Sequence, residues 1–255
     1  MSKDNRNVQL YAPSSLPEIA KGDNLAEITI AATNLGQIPL KKGDIIVFAQ
    51  KIVSKAEGRT IRLSNTLPSE KALKLAQETH KDPRVVHHIL NESTEIIRQR
   101  PGLIIARHRS GCVMANAGID LSNTGKDDLA ILLPKNPDRS AKKIAMELFK
   151  LCGKKFGVII NDSVGRAWRN GTVGSAIGSY GIAAIQDKRN MPDRDGRKLI
   201  NSQIAIADEI AAAASLLMGQ GDESFPLVIL RGFSWGKGNG TAKDLIRPIK
   251  EDLFR

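Results

Sequence analysis

Residues 158–181 have the residue types of a site for a metal ion and phosphate groups; they read VIINDSVGRAWRNGTVGSAIGSYG. An apolar run ends at Asp162 and Ser163, whose oxygens are the hard ligands that Mg²⁺ and Mn²⁺ prefer. Arg166 and Arg169 follow, and a guanidinium group binds phosphate or carboxylate through two parallel hydrogen bonds. The nearby glycines allow backbone N–H groups to approach an anion closely. Taken alone, the Asp-Ser pair has an alternative interpretation without a binding site: a strand followed by a glycine-rich loop that holds one surface ion pair.

A second polar cluster lies in residues 115–123, ANAGIDLSN. Asp120 can bind a cation, and Asn123, three positions later, can hold a phosphate or sugar oxygen. The alternative is that Asp and Asn are simply good turn formers. His108, twelve residues before Asp120, is a candidate general base, although a structural role is the more common one for a lone histidine.

Two further segments place polar groups where an apolar element ends. Gln50, Lys51 and Lys55 follow a buried-type strand, and a lysine at such a position often neutralises phosphate; a solvated edge explains the pattern equally well. Residues 218–226, MGQGDESFP, are predicted to form a turn between a helix and a strand. The backbone and Glu223 of this turn can contact a nucleotide; the alternative is that the turn is only a connection. Open α/β sheets hold ligands where strands end. Together the segments predict a two-carboxylate metal site with phosphate-binding side chains.

The composition is that of a globular protein with anionic partners. Of the 255 residues, 41% are hydrophobic and 25% charged, and the formal net charge is +11. The cationic residues are scattered, aromatic residues make up 4%, and no nucleic-acid-binding signature is present, so nucleic acid is not the expected partner. Two cysteines without metal-type spacing, no signal peptide and no membrane-length apolar run predict a cytoplasmic protein.

Periodicity and turn residues predict a mixture of strands and helices. The predicted strands cover residues 8–12, 45–49, 94–98, 103–107, 128–134, 158–160, 181–185 and 226–232. The predicted helices cover residues 68–80 with Ser69 as N-cap, 82–91 with Asp82 as N-cap, 137–152, 201–218 and 242–253. Residues 24–34 fit a helix or a strand, as do those around 52–53, and the glycine-rich stretch before residue 181 is expected to be a loop. These elements do not alternate in simple βαβ order, and the P-loop and GxGxxG motifs are absent. The predicted class is therefore α+β, with mixed sheets in a complex non-Rossmann arrangement.

Five segments, in order along the chain, resemble the F420 γ-glutamyl ligase family: GDIIVFAQKIVSKAEGR, ANAGIDLSN, LLPKNPDRSA, VIINDSVGRAWRNGTVGSAIG and LLMGQGDESFPLVILRG. The resemblance runs from about Leu16 to Gly232. It implies a GTP-dependent amide ligase that needs Mg²⁺ or Mn²⁺, with K⁺ as a helper. Such enzymes join L-glutamate to coenzyme F420-0 and extend a γ-linked tail through an acyl phosphate, releasing GDP and phosphate.

The resemblance also implies an organisation and a set of roles. The organisation is one family domain over residues 1–255, divisible into two subdomains, with no fused flavin-type domain, in an intertwined homodimer. Asp120, Asp162 and Ser163 match metal ligands, and many relatives carry Thr in place of Ser163. The positions that match GTP contacts are Leu16, Pro17, Glu18, Ile19, Gln50, Lys51, Lys55, Asn123, Met218, Gly219, Gln220, Gly221, Asp222, Glu223, Ser224 and Phe225.

The catalytic step has three candidate residues and the function has two alternatives. Arg166 or Arg169 can stabilise charge during phosphoryl transfer, and His108 can act as a base. One alternative is the same chemistry on another phospho-lactyl or folate-like carboxylate acceptor. The other is a non-catalytic protein that binds nucleic acid or another anion, which a steep salt dependence would indicate. Asp120 and Asp162 count against it, because carboxylates repel phosphates unless a metal ion intervenes.

Overall fold

We describe the fold from a computed structural model, which covers residues 7–14, 16–122, 128–234, 238 and 240–253. Twelve β-strands and six α-helices form within these residues. The strands are β1 (Gln9–Tyr11), β2 (Ile45–Ala49), β3 (Thr60–Arg62), β4 (Ser93–Arg100), β5 (Leu103–His108), β6 (Val113–Ala115), β7 (Leu129–Ile131), β8 (Gly157–Arg166), β9 (Arg169–Tyr180), β10 (Gln186–Asp187), β11 (Gln203–Ile204) and β12 (Leu227–Arg231). The helices are α1 (Leu25–Leu35), α2 (Gln50–Ala56), α3 (Glu70–Thr79), α4 (Pro83–Glu92), α5 (Pro137–Cys152) and α6 (Ile206–Met218).

The largest sheet has five strands in the order β1-β12-β2-β8-β9. Strands β2 and β8 are parallel, with Ile45 opposite Gly157 and Ala49 opposite Asn161, and the other neighbours are antiparallel. Three smaller sheets pair β3 with β7, β10 with β11, and β4 with β5 and β6. The chain is therefore a mixed α+β protein with several sheets, as predicted.

Both faces of the large sheet are covered, which explains the continuous apolar runs in its central strands. Ile46 and Phe48 of β2 pack into one cluster with α1 and α5. Ile45 and Val47, on the opposite face, pack with α6. A third cluster forms between α3, α4 and the sheet of β4, β5 and β6. The site described below lies at one end of the doubly covered sheet.

The helix boundaries follow their capping residues. Oδ1 of Asn136 accepts a hydrogen bond of 3.0 Å from the backbone N–H of Arg139, Pro137 occupies the first turn, and Gly153 ends α5 in a left-handed conformation. Ser69 and Asp82 cap α3 and α4 as the sequence predicts. Residues 25–35 and 50–56, which the sequence left open, are helices. Helix α6 begins at Ile206 rather than 201, and the predicted helix over 242–253 is instead two short 3₁₀ turns.

The glycine-rich stretch is the main error of the sequence-based prediction. Residues 169–180 form strand β9, not a loop, and the predicted strand over 181–185 is absent. The reason is packing: a Cβ atom on Gly178 would lie 2.6 Å from the carbonyl carbon of Pro137 in α5. The glycines thus allow helices to approach the strand closely. Strand β6 lies in a segment for which the sequence predicted neither a strand nor a helix. Strand β7 is shorter than the predicted strand over residues 128–134. No helix in the described ranges has the length and apolar character needed to cross a membrane.

Candidate active site

The register of the large sheet brings three distant segments together. Strand β2 ends at Ala49, opposite Asn161, so that from Asp162 onward β8 is paired, within the described residues, only with β9. Strand β12 begins at Leu227, and the backbone N–H of Ala49 donates a hydrogen bond of 2.8 Å to the carbonyl oxygen of Pro226. The start of α2, the middle of β8 and the segment before β12 therefore meet where β2 stops.

A cavity of about 590 Å³ lies at this meeting point. Four segments line it: the extended chain before α1, the start of α2, β8, and the loop between α6 and β12. The lining residues are Leu16, Pro17, Glu18, Ile19, Ala49, Gln50, Lys51, Ile52, Lys55, Asn161, Asp162, Ser163, Met218, Gly219, Gln220, Gly221, Ser224, Phe225 and Pro226. Most of the residues selected from the sequence are thus brought into one cavity wall.

Two lysines of α2 carry the positive charge of the cavity. Lys55 Nζ contacts Glu18 Oε1 at 2.5 Å and so links α2 to the extended segment. Lys51 Nζ lies 2.8 Å from Oδ2 of Asp120 and donates a hydrogen bond of 2.9 Å to Ser122 Oγ. Asp120 does not itself line the cavity, and Lys51 connects it to the wall. Burial acts to raise the pKa of Asp120, but the hydrogen bonds from Lys51 and Ser122 outweigh it and lower the pKa.

Asp162 is the most perturbed carboxyl group of the site. Burial raises its pKa from 3.8 to about 7, and the negative charge of Asp120 adds to that effect. The backbone N–H of Ser163, which donates to Oδ1 at 2.9 Å, and the charge of Lys51 oppose it only in part. A cation bound beside Asp162 would remove the cost of ionising this carboxyl group.

The loop between α6 and β12 is organised by hydrogen bonds. Gln220 Nε2 donates to Ser163 Oγ at 2.7 Å, which attaches the loop to β8. Oε2 of Glu223 accepts the backbone N–H of Gly221 at 2.7 Å, and backbone hydrogen bonds lower the pKa of this carboxyl group. Gly219 has a φ of 70°, and a Cβ atom there would lie 2.2 Å from the Glu223 carboxyl carbon. Glu223 therefore shapes the loop although neither it nor Asp222 lines the cavity.

Asn161 lines the cavity but was not selected from the sequence. Its side chain is buried, with 4% of the residue exposed, and its Nδ2 donates to Ser215 Oγ at 3.0 Å and to Met218 Sδ at 3.3 Å. Its Oδ1 is buried and has no hydrogen-bond partner among the residues that the structure describes. A polar residue that closes an apolar run, directly before Asp162, was the available signal. Ala49, Ile52 and Pro226 also line the cavity and carried no polar signal.

The three candidate catalytic residues lie outside the cavity wall. His108 is 1% exposed, and its ring contacts Ser110 at 2.9 Å and Glu92 at 3.4 Å. Arg166 donates to the carbonyl oxygen of Gly171 at 3.1 Å, and Arg169 is exposed in the same hairpin of β8 and β9. Asn123 lies outside the described residues.

The residues present fit a divalent metal ion of the magnesium type. Asp120, Asp162 and Ser163 offer oxygen atoms, and the raised pKa of Asp162 marks a carboxyl group whose charge is compensated only in part. No group of three or more His, Cys, Asp or Glu side chains suited to a metal ion occurs in the described ranges. An ion held by these residues would take its remaining ligands from phosphate or water, as Mg²⁺ commonly does.

Sequence comparison identifies the family of this chain. The chain belongs to the F420-0:gamma-glutamyl ligase family, whose family model matches residues 14–232. The resemblance drawn from the sequence is therefore confirmed.

Several similar proteins carry the name coenzyme F420:L-glutamate ligase. The one from Methanothermobacter thermautotrophicus is 47% identical over 250 residues, which cover 97% of this chain and 99% of that protein. The one from Methanocaldococcus jannaschii is 46% identical over 257 residues and covers both chains in full. The one from Archaeoglobus fulgidus is 39% identical over 248 residues, or 97% of this chain and 96% of that protein.

Proposed function

We propose that this chain is a GTP-dependent ligase that joins L-glutamate to coenzyme F420-0 and extends a γ-linked glutamate tail. Family membership supports the acceptor and the amino acid. The observation that carries the nucleotide assignment is the cavity of about 590 Å³, in which two lysines face two acidic side chains. Its volume falls in the range of small-molecule sites.

The polar residues in and beside the cavity divide into two groups by the ligand that they would bind. Lys51 and Lys55 offer ammonium groups to phosphate oxygens, and Gln50 and the loop of residues 218–226 form the rest of a nucleotide wall. Asp120, Asp162 and Ser163 would hold Mg²⁺ or Mn²⁺, with K⁺ as a further monovalent helper. The divalent ion, when bound, would supply positive charge to the phosphate groups.

The proposed reaction has two steps. In the first, a carboxylate oxygen of F420-0 attacks the γ-phosphorus of GTP, and the bond from that phosphorus to the β-phosphate oxygen breaks. The products of this step are GDP and an acyl phosphate of F420-0. In the second, the glutamate amine attacks the acyl carbon, phosphate leaves, and the nitrogen loses a proton as the amide forms. The lysines stabilise the phosphate charge in both steps. Glu18 and Asp162 are the only ionisable acids in the described cavity wall, which contains no histidine, so we assign no general base.

We further propose that the active protein is a homodimer joined through the hairpin of β8 and β9. Support comes from Trp168 at the hairpin tip, where 87% of the residue is exposed, and from the exposed residues on either side of it. A large aromatic side chain at this exposure is typical of a surface that a partner covers.

The test of the function is a ligation assay read by mass spectrometry. Purified protein is incubated with F420-0, L-glutamate, GTP, Mn²⁺ and K⁺, and parallel reactions omit GTP or the metal ion or replace GTP by ATP. We expect successive mass additions of glutamate that disappear when GTP or metal is absent.

Two other outcomes would reject the proposal in different ways. Absence of ligation by a folded protein that still binds GTP would mean that the acceptor is wrong. Absence of both ligation and GTP binding would mean that the cavity is not a nucleotide site.

A further inference from the structure

Both cationic side chains of the described cavity wall are paired with acids of this chain. Lys55 contacts Glu18, which is exposed, and Lys51 contacts Asp120, which is half-buried. Water and salt screen a partly buried pair less than an exposed one, so the contact of Lys51 is the stronger of the two. The pairs also differ in chemistry, because Asp120 is an expected metal ligand and Glu18 is not. The pairing of Lys51 therefore bears on the binding of a metal ion.

The two carboxylate oxygens of Asp120 are held in different ways. Oδ1 accepts a hydrogen bond of 2.7 Å from the backbone N–H of Ser122. Oδ2 lies 2.8 Å from Lys51 Nζ, which also donates to Ser122 Oγ at 2.9 Å. The backbone of Asp120 is fixed by two hydrogen bonds with Ile131, of 3.0 and 2.8 Å. Oδ1 is thus bound to rigid backbone and Oδ2 to a flexible side chain.

A divalent ion that binds Asp120 has to take one of these two oxygens. At Oδ1 the ion would displace a short backbone hydrogen bond. At Oδ2 it would meet the ammonium group of Lys51, and two cations in contact repel each other. The ammonium group is the partner that can leave, because it ends a flexible four-carbon chain and 31% of the lysine side chain is exposed. Lys51 lines the cavity, so the space open to the freed group is the cavity itself.

Asp162 lies within electrostatic reach of this ion pair. Burial is the main cause of the raised pKa of Asp162; the charge of Asp120 raises the pKa further, and the charge of Lys51 lowers it. One ammonium group thus supplies positive charge to both carboxyl groups. A divalent ion held by these carboxyl groups would supply more charge, so the ammonium group would no longer be needed beside them.

We propose that Lys51 exchanges partners: a divalent ion displaces its ammonium group from Oδ2 of Asp120, and the freed group binds a phosphate oxygen of the nucleotide. The proposal rests on the proposed function and adds to it a link between metal and nucleotide affinity. Only hydrogen-bond and ion-pair partners change, and no covalent bond forms or breaks. Lys51 is held by Asp120 until the ion binds, and it then adds its charge to the nucleotide site.

The test compares Lys51→Met with Lys55→Met. Each variant removes one ammonium group from the same cavity wall, so the change in net charge is matched, but only Lys51 contacts Asp120. Lys51→Arg keeps a positive charge at the same position. Thermal unfolding establishes that each variant is folded. The electron paramagnetic resonance signal of free Mn²⁺ then measures Mn²⁺ binding to the protein alone, in about 0.5 M NaCl, where interactions between distant charges are screened.

We expect Lys51→Met to bind Mn²⁺ at least about fivefold more tightly than the unmodified protein, because the competing ammonium group is gone. Lys55→Met should stay within about threefold of the unmodified protein, and Lys51→Arg should gain no affinity. A side chain that merely supported the metal site would give the opposite sign, a loss of Mn²⁺ affinity in Lys51→Met. Mn²⁺ binding to Lys51→Met that is no tighter than to Lys55→Met would overturn the exchange.

A second measurement follows the freed ammonium group to the nucleotide. Calorimetry gives the Kd for GTP with Mn²⁺ and with a chelator, and each variant is compared with the unmodified protein under the same condition, so direct contact between ion and phosphate cancels. We expect Lys51→Met to raise the Kd at least about tenfold with Mn²⁺ but less than about threefold with the chelator. Lys55→Met should lose the same factor under both conditions. An equal loss for Lys51→Met under both conditions would also overturn the exchange.

Failure of the proposed function gives a different pattern. If the unmodified protein binds Mn²⁺ but no GTP, the nucleotide assignment is wrong and the phosphate contact of Lys51 is rejected with it. The Mn²⁺ measurement then still decides whether Lys51 competes with the ion for Asp120. If neither the unmodified protein nor any variant binds Mn²⁺, the metal assignment and the exchange are both rejected.

Discussion

Asn161 Nδ2 donates a hydrogen bond of 3.0 Å to Ser215 Oγ, and this contact joins strand β8 to helix α6 beside the cavity. The same amide group reaches Met218 Sδ at 3.3 Å, in the last residue of the helix. The loop that forms one wall of the cavity begins immediately afterwards. The position of this wall is therefore set by a buried polar contact, and Gly174 of β9 leaves the space in which the contact forms.

The first prediction concerns Gly174. A Cβ atom at this position would lie 2.0 Å from Ser215 Oγ and 2.5 Å from the backbone oxygen of Ala211, so α6 must move to accept Gly174→Ala. We expect the variant to lower the free energy of unfolding by about 1–3 kcal/mol, as overpacking usually does, and to weaken GTP binding because the loop moves with the helix. Thermal unfolding and calorimetry measure the two effects.

Gly165→Ala is the matched control in the same hairpin. Its Cβ atom would meet no atom of the described residues within 4 Å, and its φ is not in the left-handed region. We expect a change within about 0.5 kcal/mol and normal GTP binding. Equal stability of the two variants would show that α6 does not rest tightly on β9.

The second prediction concerns the ionisation of Asp162. Because its pKa is about 7 in the folded protein and 3.8 without the fold, the folded state keeps a proton that the unfolded chain releases between these pH values. Because only the unfolded chain ionises at this residue between about pH 4 and 7, the fold loses stability as the pH rises through that range. At pH 8 with a chelator, we expect the free energy of unfolding of Asp162→Asn to exceed that of the unmodified protein by on the order of 2 kcal/mol, which thermal unfolding measures. At pH 4 we expect the two proteins to be equally stable.

Addition of Mn²⁺ separates the metal-binding role from simple burial. It should raise the unfolding temperature of the unmodified protein at pH 8 and leave Asp162→Asn unchanged. Asp195→Asn, at an exposed turn, serves as the control and should behave like the unmodified protein. A stability difference that is the same at pH 4 and pH 8 would contradict the assignment.

The third prediction separates the charge of Lys55 from its ion pair with Glu18. Glu18 is exposed over 85% of its side chain, and exposed ion pairs contribute about 0–1 kcal/mol. Lys55→Ala should therefore leave the unfolding temperature nearly unchanged and raise the Kd for GTP at least about tenfold through loss of a phosphate contact. Glu18→Gln breaks the same pair but keeps the cation, and its Kd should change less than about threefold. Similar losses in both variants would mean that the ion pair, not the cation, matters for the nucleotide.

The fourth prediction concerns the assembly. Trp168→Ser should convert the proposed homodimer to a monomer in light-scattering measurements, because the indole at the hairpin tip would no longer be buried by a partner. Ile200→Ser, at a position that is 80% exposed, should leave the dimer intact. A dimer that persists in Trp168→Ser would place the interface elsewhere, and a monomeric unmodified protein would reject the dimer itself.

Sequence patterns predicted most elements because their signals are local. Ser69, Asp82 and Gly153 act within one turn of the helices that they begin or end. The glycines of residues 169–180 led to a wrong prediction of a loop, because the reason for glycine at these positions is not local. Gly174 and Gly178 are small so that α6 and α5 can contact β9, and the contacting residues lie far away in the sequence.

The candidate site shows the same division between local and distant causes. Asp162 and Ser163 were recognisable because they closely follow an apolar run in the sequence. Lys51 and Asp120 were each selected, but their pairing at 2.8 Å depends on how α2 packs beside the segment after β6. Asn161 was missed because its role depends on Ser215 and Met218, which only the folded chain brings near.

The order of strands in the large sheet constrains how the protein is made. In the described part of the chain, strand β1 pairs only with β12, and β12 separates it from β2. During translation, residues 9–11 therefore wait for residues 227–231 to leave the ribosome before they can join the sheet. The residues just before β12 also complete the cavity. A nascent chain, or one cleaved by a protease before residue 218, thus lacks a wall of the cavity, so nucleotide binding reports that synthesis and folding are finished.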